Sequence, residues 1–342
     1  MNIYDCTLSD LKKYMADAGE REYRAKQVFG HVYEGVGIMS MTDIPKALRE
    51  KMQADFTFSL PLIEKKLVSA LDGTVKYLFK MSDGAYAESV VMKYKHGLSI
   101  CVSSQVGCRM GCKFCASTLR GLERNLTPGE ISGQIIAAKK DLGQRISNIV
   151  MMGSGEPFDN FDNIMKFLRI AVNPDGLGIG ARHITISTCG IPEGIKKLSE
   201  CGLQVNLSVS LHAPNDNIRK EIMPIARAVS INELIDECRR FFEKTKRRVT
   251  YEYALIDGVN DSDACAKELS GLLGHDGTHV NLIPVNYVRE RGLKRSRDVA
   301  RFQHILSKNN INATVRREMG ADISAACGQL RNENLADSGV IN

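Results

Sequence analysis

The chain has 342 residues, 43% of them apolar and 25% charged, with 29 Gly and 9 Pro, a composition that excludes a disordered tail, a collagen, a coiled coil or a low-complexity segment. Lysine and arginine total 46 against 40 acidic residues, a net +6 that suits a nucleic-acid partner and an ordinary solvated surface alike. No stretch reaches the ~18 uninterrupted apolar residues of a membrane span, and the N-terminus lacks a basic segment followed by an apolar one, so a soluble, unexported, cytoplasmic protein is expected.

Residues 1–60 read as a helical unit. Leu8, Leu11 and Met15, then Val28, Phe29 and Val32, then Ile44, Leu48 and Met52 fall at helical spacing, separated by Gly19 and by Gly35 and Gly37. Residues 61–97 switch to a period of two, with Asp72-Gly73 and Asp83-Gly84 between β-branched and aromatic runs, as a short β-meander requires.

From residue 98 to 330, apolar runs of strand length alternate with helical stretches. The strands are expected at 99–103, 148–152, 183–188, 205–211, 248–256 and 280–285. Helices are expected to start near Pro128, Asn163, Pro192, Ile231, Ser262 and Arg297. Thr127-Pro128-Gly129-Glu130 and Ser230-Ile231-Asn232-Glu233 have the form of capping boxes. Six βα units in succession predict an α/β fold with a parallel sheet, and a closed or partly closed barrel would place a site at the C-terminal strand ends. The unusual residues cluster at those ends. Residues 331–342 form a short tail without an extended basic run.

Ten cysteines in an unexported chain are expected to be thiols, and three of them form Cys108-Arg-Met-Gly-Cys112-Lys-Phe-Cys115. Thiolates at this spacing can converge on one soft metal centre, zinc or iron–sulfur. A structural zinc wants four ligands, usually from paired motifs, and no second Cys-x2-Cys is present. A [4Fe–4S] cluster on three cysteines leaves one iron open to a substrate or cofactor. A chance group of buried thiols is the remaining alternative.

This cysteine loop after the first strand of six βα units resembles the radical S-adenosylmethionine (SAM) superfamily. Cys101-Val-Ser-Ser-Gln-Val-Gly-Cys108, Met151-Met-Gly-Ser-Gly-Glu156-Pro, Ser208-Val-Ser-Leu-His212-Ala-Pro-Asn-Asp and Ala325-Ala-Cys327-Gly-Gln-Leu330 narrow the resemblance to the RlmN family of RNA methyltransferases. It implies an incomplete (βα)6 radical SAM barrel with an N-terminal helical, RNA-binding accessory domain and a small β element. The implied activity is methylation of C2 of adenosine in 23S rRNA, at the peptidyl transferase centre, and in tRNA, 3′ of the anticodon. The implied cofactors are one [4Fe–4S] cluster, held by Cys108, Cys112 and Cys115, and SAM.

The chemistry is intelligible. Adenine C2 is electron-poor, so polar transfer of an electrophilic methyl lacks a nucleophile and a carbon radical is needed instead. By resemblance, Cys327 accepts a methyl from one SAM, a deoxyadenosyl radical from a second abstracts a hydrogen from it, and the carbon radical joins protein to RNA. Glu88 corresponds to the proton acceptor, and Cys101 to the resolving thiol that leaves a Cys–Cys disulfide. Gly155, Glu156, Ser187, Ser210, Leu211, His212 and Asn286 correspond to SAM contacts. Ser154 stands where the family often carries Met.

Taken alone, these residues have plainer readings. Cys327 lies in a small-residue stretch and Cys101 in a buried strand. Glu88 reads as an exposed strand residue, His212 as a structural histidine and Asn286 as a turn former. Cys6, Cys189, Cys201, Cys238 and Cys265 have no ligand spacing. Arg21, Arg24 and Lys26, and the run Arg289, Arg291, Lys294, Arg295, Arg297 and Arg301, are candidate RNA-phosphate contacts or plain surface. Lys246-Arg247-Arg248 and Arg316-Arg317 add to the basic groups. A flavodoxin or ferredoxin is the implied electron donor, and a monomer is expected. The alternatives are a Cfr-type enzyme acting at adenine C8, which confers antibiotic resistance, and a non-catalytic RNA-binding protein with a structural metal.

Overall fold

The computed structural model describes residues 1–274, 278–288 and 290–330; Arg289 and the tail 331–342 lie outside the described residues. The N-terminal apolar stripes form α1 (Leu8–Asp17), α2 (Tyr23–Glu34) and α3 (Lys46–Asp55). Thr7 caps α1 reciprocally with Asp10, and Gly35 ends α2 in the left-handed conformation at φ 84°. Leu11, Met15, Phe29, Val32, Leu48 and Met52 meet in a core of their own, joined by Ile136 and Ile170 from later helices.

The expected meander is β1 (Leu62–Val68), β2 (Val75–Lys80) and β3 (Tyr86–Tyr94), antiparallel throughout. The Asp72 and Asp83 carboxylates each accept the backbone N–H two residues on, at Thr74 and Ala85, which forms the turns that the sequence signals. The meander is not freestanding. Strand β3 pairs antiparallel with β4 (Gly97–Cys101), which opens the parallel series.

A short antiparallel ribbon follows, β5 (Gln105–Gly107) with β6 (Leu122–Asn125), and the cysteine loop spans its two strands. Then come α4 (Pro128–Leu142), β7 (Ile146–Met151), α5 (Phe161–Val172), β8 (Ile184–Thr188), α6 (Pro192–Glu200) and β9 (Asn206–Ser210). The remainder is α7 (Asp216–Ile222), α8 (Ile231–Thr245), β10 (Val249–Leu255), α9 (Asp263–Leu273), β11 (His279–Pro284), α10 (Val299–Lys308) and β12 (Asn312–Val315). Thr127 makes the full capping box with Glu130; Ser230 caps α8 by accepting from Glu233 N–H.

Among the described residues one ten-stranded sheet runs β1-β2-β3-β4-β7-β8-β9-β10-β11-β12, parallel from β4 onward. Strands β1 and β12 end it, so the barrel is open. The six expected barrel strands are present, and the fold is the α/β incomplete barrel expected of the sequence. Elements not foreseen include the β5–β6 ribbon, α7, only seven residues long, and β12, whose Asn-Ala-Thr-Val sequence is mostly exposed. The core lies between the sheet and its outer helices, with Ile100, Ile149, Ile186, Leu207, Val209, Tyr253 and Leu282 on the strands facing Ile131, Ile164, Ile195, Leu234 and Leu269. No helix among the described residues is long and apolar enough to cross a membrane.

Candidate active site

At the C-terminal ends of the parallel strands a cavity with about 920 Å³ of space between atoms, part of it open to solvent, is lined by Cys108, Cys112 and Cys115 together with Gly155, Glu156, Ser187, Ser210, His212, Asn286 and Cys327. Residues more than two hundred positions apart in sequence thus share one wall. A second cavity, about 580 Å³, is lined by Val90, Met92, Cys101, Met152, Asn286, Arg316 and Cys327. Cys327, Asn286 and Arg316 belong to both, so the two thiols assigned to covalent chemistry meet in the second cavity, and Cys327 also faces the first.

The cysteine loop is fixed by backbone bonds: Cys108 N–H donates to Gly121 at 2.8 Å, Lys113 N–H to Ile222 at 2.9 Å and Cys115 N–H to Cys112 at 3.2 Å. The C-terminal loop docks on it, because Ala116 N–H donates to the Gly328 carbonyl at 2.8 Å. Gly328 has φ 81°, and a Cβ there would lie 2.9 Å from the Phe114 carbonyl oxygen, so glycine is required at this contact.

Glu156 is buried, with both carboxylate oxygens engaged: Phe158 N–H donates to one at 3.0 Å and Cys189 N–H to the other at 2.7 Å. Burial pushes its carboxyl above the usual range despite these bonds. The glycines before it serve packing. A Cβ on Gly153 would lie 2.7 Å from the Val102 carbonyl, and one on Gly155, at φ 107°, 2.6 Å from Gln105 and Ser104. Close approach to the loop after β4, as well as to any ligand, is therefore what Gly-Ser-Gly provides. Ser154 bonds Ser117 Oγ at 3.0 Å.

His212 stands at φ 57°, where its Nδ1 accepts the Ala254 N–H at 2.8 Å. The ring proton is thereby assigned to Nε2. Burial, with the nearby Arg219 charge, lowers the imidazole to about 3, so it is neutral at pH 7 and packs edge-on against Phe114 with ring centres 4.6 Å apart. Leu211 is fully buried and outside the cavity lining; its backbone bonds Glu252 O through N–H and Arg219 Nε through C=O. Asn286 Nδ2 donates to the Cys327 carbonyl at 2.9 Å.

Glu88 is not the exposed residue its local sequence suggests. It is 1% exposed and pairs with Lys76 Nζ at 2.8 Å. It shares the inner face of β3 with Val90 and Met92 but is not among the residues lining either cavity. Cys101 is buried opposite Val90, and burial, then the neighbouring Cys327, pushes its thiol up to about 12.

Several site residues escaped sequence reasoning. Glu252 lines the first cavity and accepts from Ser208 Oγ at 2.7 Å and Asn281 Nδ2 at 2.8 Å. Arg316, grouped above with surface charges, turns into the barrel 4.0 Å from Glu252; a negative charge on Cys327, against the opposing effect of burial, is the first cause that raises its guanidinium above the usual value. Cys189, set aside for want of ligand spacing, also lines the first cavity. The signal for Arg316 would have been β12, whose end delivers it. Among the basic candidates, Arg24, Lys26, Arg295 and Arg301 make ion pairs with Glu20, Asp175, Glu318 and Asp263, and Arg291 bonds Thr118 beside the cysteine loop.

The donor set fits an iron–sulfur cluster. Burial pushes Cys108 up to about 12 and raises Cys112 and Cys115, and neighbouring thiolates add to the shift, so this thiol trio is stable as thiolate only against strong positive charge. Three soft thiol donors lining one cavity are the donor set that an iron–sulfur cluster takes.

Residues 102–266 match the radical SAM superfamily and residues 1–57 the ribosomal RNA large subunit methyltransferase N-terminal domain. A Clostridium tetani protein described as a probable dual-specificity RNA methyltransferase RlmN is 54% identical over 97% of this chain and 96% of its own length. One of the same description from Alkaliphilus oremlandii is 51% identical over 98% of each. The crystal structure of a radical SAM methyltransferase from Sphaerobacter thermophilus, 45% identical, superposes with a TM-score of 0.91 over 97% of this chain and all of that one. The cavity, its thiols and this likeness along nearly the whole length have one explanation: the chain belongs to the RlmN family of radical SAM RNA methyltransferases, SAM-dependent enzymes that carry a [4Fe–4S] cluster.

Proposed function

We propose that this enzyme methylates C2 of adenosine in 23S rRNA and in tRNA, with the new carbon carried to RNA on Cys327. The observation that carries the reading is the position of Cys327, shared between the cavity of the cysteine trio and the cavity of Cys101. A thiol in both can receive a methyl group on one side and surrender the product on the other. Cys108, Cys112 and Cys115 would hold the cluster, which with SAM would supply the methyl group, the radical chemistry that activates it and an acceptor for the one electron that the radical adduct with C2 must give up.

The chain's own residues do the rest. Gly155, Glu156, Ser187, Ser210, His212 and Asn286 bind and orient SAM, with Leu211 contributing through its backbone, and the neutral His212 offers Nε2–H as a donor. Cys327 forms the carbon–sulfur link to RNA. Glu88 takes the C2 proton, and Cys101, as thiolate, attacks Cys327 Sγ; the carbon–sulfur pair then picks up a proton to complete the methyl group, and a Cys101–Cys327 disulfide remains. Reduction of that disulfide and electrons for the cluster fall to external donors, a flavodoxin or ferredoxin for the latter. The helical domain 1–60 contributes RNA contacts, and the enzyme acts as a cytoplasmic monomer.

The test is mass spectrometry of nucleosides from 23S rRNA and tRNA, purified separately from cells with and without the gene. Loss of 2-methyladenosine from both is expected. Loss of 8-methyladenosine instead would assign the Cfr-type reaction, and no change in either would defeat both.

A further inference from the structure

Lys76 has no part in the chemistry described so far, yet its side chain is only 3% exposed. A lysine buried to this degree is retained where its charge is matched. Glu88 and a carbonyl of the C-terminal loop are among the groups that match it. Nζ lies 2.8 Å from Glu88 Oε1, and it donates to the Ser324 carbonyl at 3.3 Å, three residues before Cys327. Lys76 faces Val90 across the β2–β3 ladder, and Val90 in turn faces Cys101, so the ammonium sits on the face of the sheet that carries the resolving thiol.

The same hairpin grips the loop elsewhere. Asp72, in the β1–β2 turn, accepts the Gly320 N–H at 2.9 Å. Asp322 accepts from Ser69 Oγ at 2.6 Å and from Ala70 N–H at 2.9 Å. The segment 320–326 is therefore bound to the β1–β2 hairpin at several points, and at one of them Lys76 also reaches Glu88.

We propose that Lys76 is a positioning residue that holds the Glu88 carboxylate and the Cys327-bearing loop in one register. This rests on the reading that Cys327 carries the RNA adduct and Glu88 accepts its C2 proton. In the adduct, C2 is one carbon from Cys327 Sγ. The base stands on a strand and the thiol on a loop, and proton removal requires hydrogen-bond reach between the two elements. Lys76 neither gives nor takes the proton; it fixes the distance over which the proton moves.

The experiment uses the full chain with its cluster, SAM, a chemical reductant and a transcribed 23S rRNA fragment, and follows the covalent protein–RNA species on denaturing gels. In Lys76→Met, Cys327 still acquires its methyl group by intact mass and KM for RNA stays within about threefold, but the adduct lives about tenfold longer or more. Lys76→Arg restores release to within about threefold of the wild type. Adduct decay at the wild-type rate in Lys76→Met overturns the proposal and leaves the reading standing, whereas absence of any adduct from both the wild type and Cys101→Ala removes the reading itself.

Because Lys76→Met strands a buried carboxylate, a second comparison avoids that charge. Amide exchange over 320–326 in Lys76→Met/Glu88→Gln, which buries neither charge, is expected to be about tenfold faster than in the wild type, where the two charges are matched, with other segments unchanged. Equal exchange overturns the proposal.

Discussion

Asn286, just beyond the end of β11, donates from Nδ2 to the Cys327 carbonyl at 2.9 Å, which ties the C-terminal loop to the rim of the barrel. Both residues are shared by the two cavities. Asn286→Ala leaves that carbonyl without its donor, a loss of about 1–2 kcal/mol in local order. The expected result is roughly tenfold slower methyl uptake by Cys327 at unchanged iron content, read from the intact mass of the protein against time.

Gly155→Ala tests the packing account of the Gly-Ser-Gly turn. The backbone is at φ 107°, and the added Cβ would lie 2.6 Å from Gln105 and Ser104. Strain and displacement together are expected to cost about 2–4 kcal/mol in urea denaturation of the cluster-free protein. A stability equal to the wild type's would show that the turn has slack the structure does not contain.

His212 predicts a pH dependence of stability. Its imidazole is lowered to about 3 by burial and by Arg219, below its unfolded value, so the unfolded chain binds the extra proton. The contribution of a neutral His212 is therefore fully present above about pH 6.5 and is lost as pH falls toward 3, at up to about 1.4 kcal/mol per pH unit. His212→Asn suits the positive φ and does not titrate. Its stability should fall less steeply than the wild type's between pH 6 and 4, measured by urea unfolding at each pH; parallel curves would contradict the assignment.

Release of RNA from Cys327 should accelerate with pH. Burial is the main cause that raises the Cys101 thiol, and the Arg316 charge pulls it down; in the adduct Cys327 is a neutral thioether and adds nothing. The attacking thiolate is thus scarce at pH 7 and grows about tenfold per unit toward pH 9. Single-turnover release should follow that slope, and Arg316→Met should slow release by about tenfold at fixed pH. A flat profile would place the slow step elsewhere.

The parts legible in sequence were those with local physical signatures. The thiol spacing, the strand-to-helix alternation and the Thr127 cap each follow from a few adjacent residues. So do the Asp-Gly turns. What stayed hidden depends on long-range contact. Glu88 reads as an exposed strand residue because its partner, Lys76, stands on the neighbouring strand and is itself held by the Ser324 carbonyl, 248 positions further along the chain. Strand β12 is too short and polar to show a period of two, and without it Arg316 reads as surface charge. The basic residues after β11 looked like one phosphate patch, yet Arg295 and Arg301 pair with Glu318 and Asp263 across the fold.

In the proposed mechanism Cys327 carries the new carbon to adenine and Cys101 lets it go. The most direct test is tandem mass spectrometry of the covalent species that Cys101→Ala should accumulate with 23S rRNA or tRNA. A single methylene joining Cys327 Sγ to adenosine C2 is expected, and no such species from Cys327→Ala. A link at another residue or ring position, or normal turnover by Cys101→Ala with no trapped species, would contradict it.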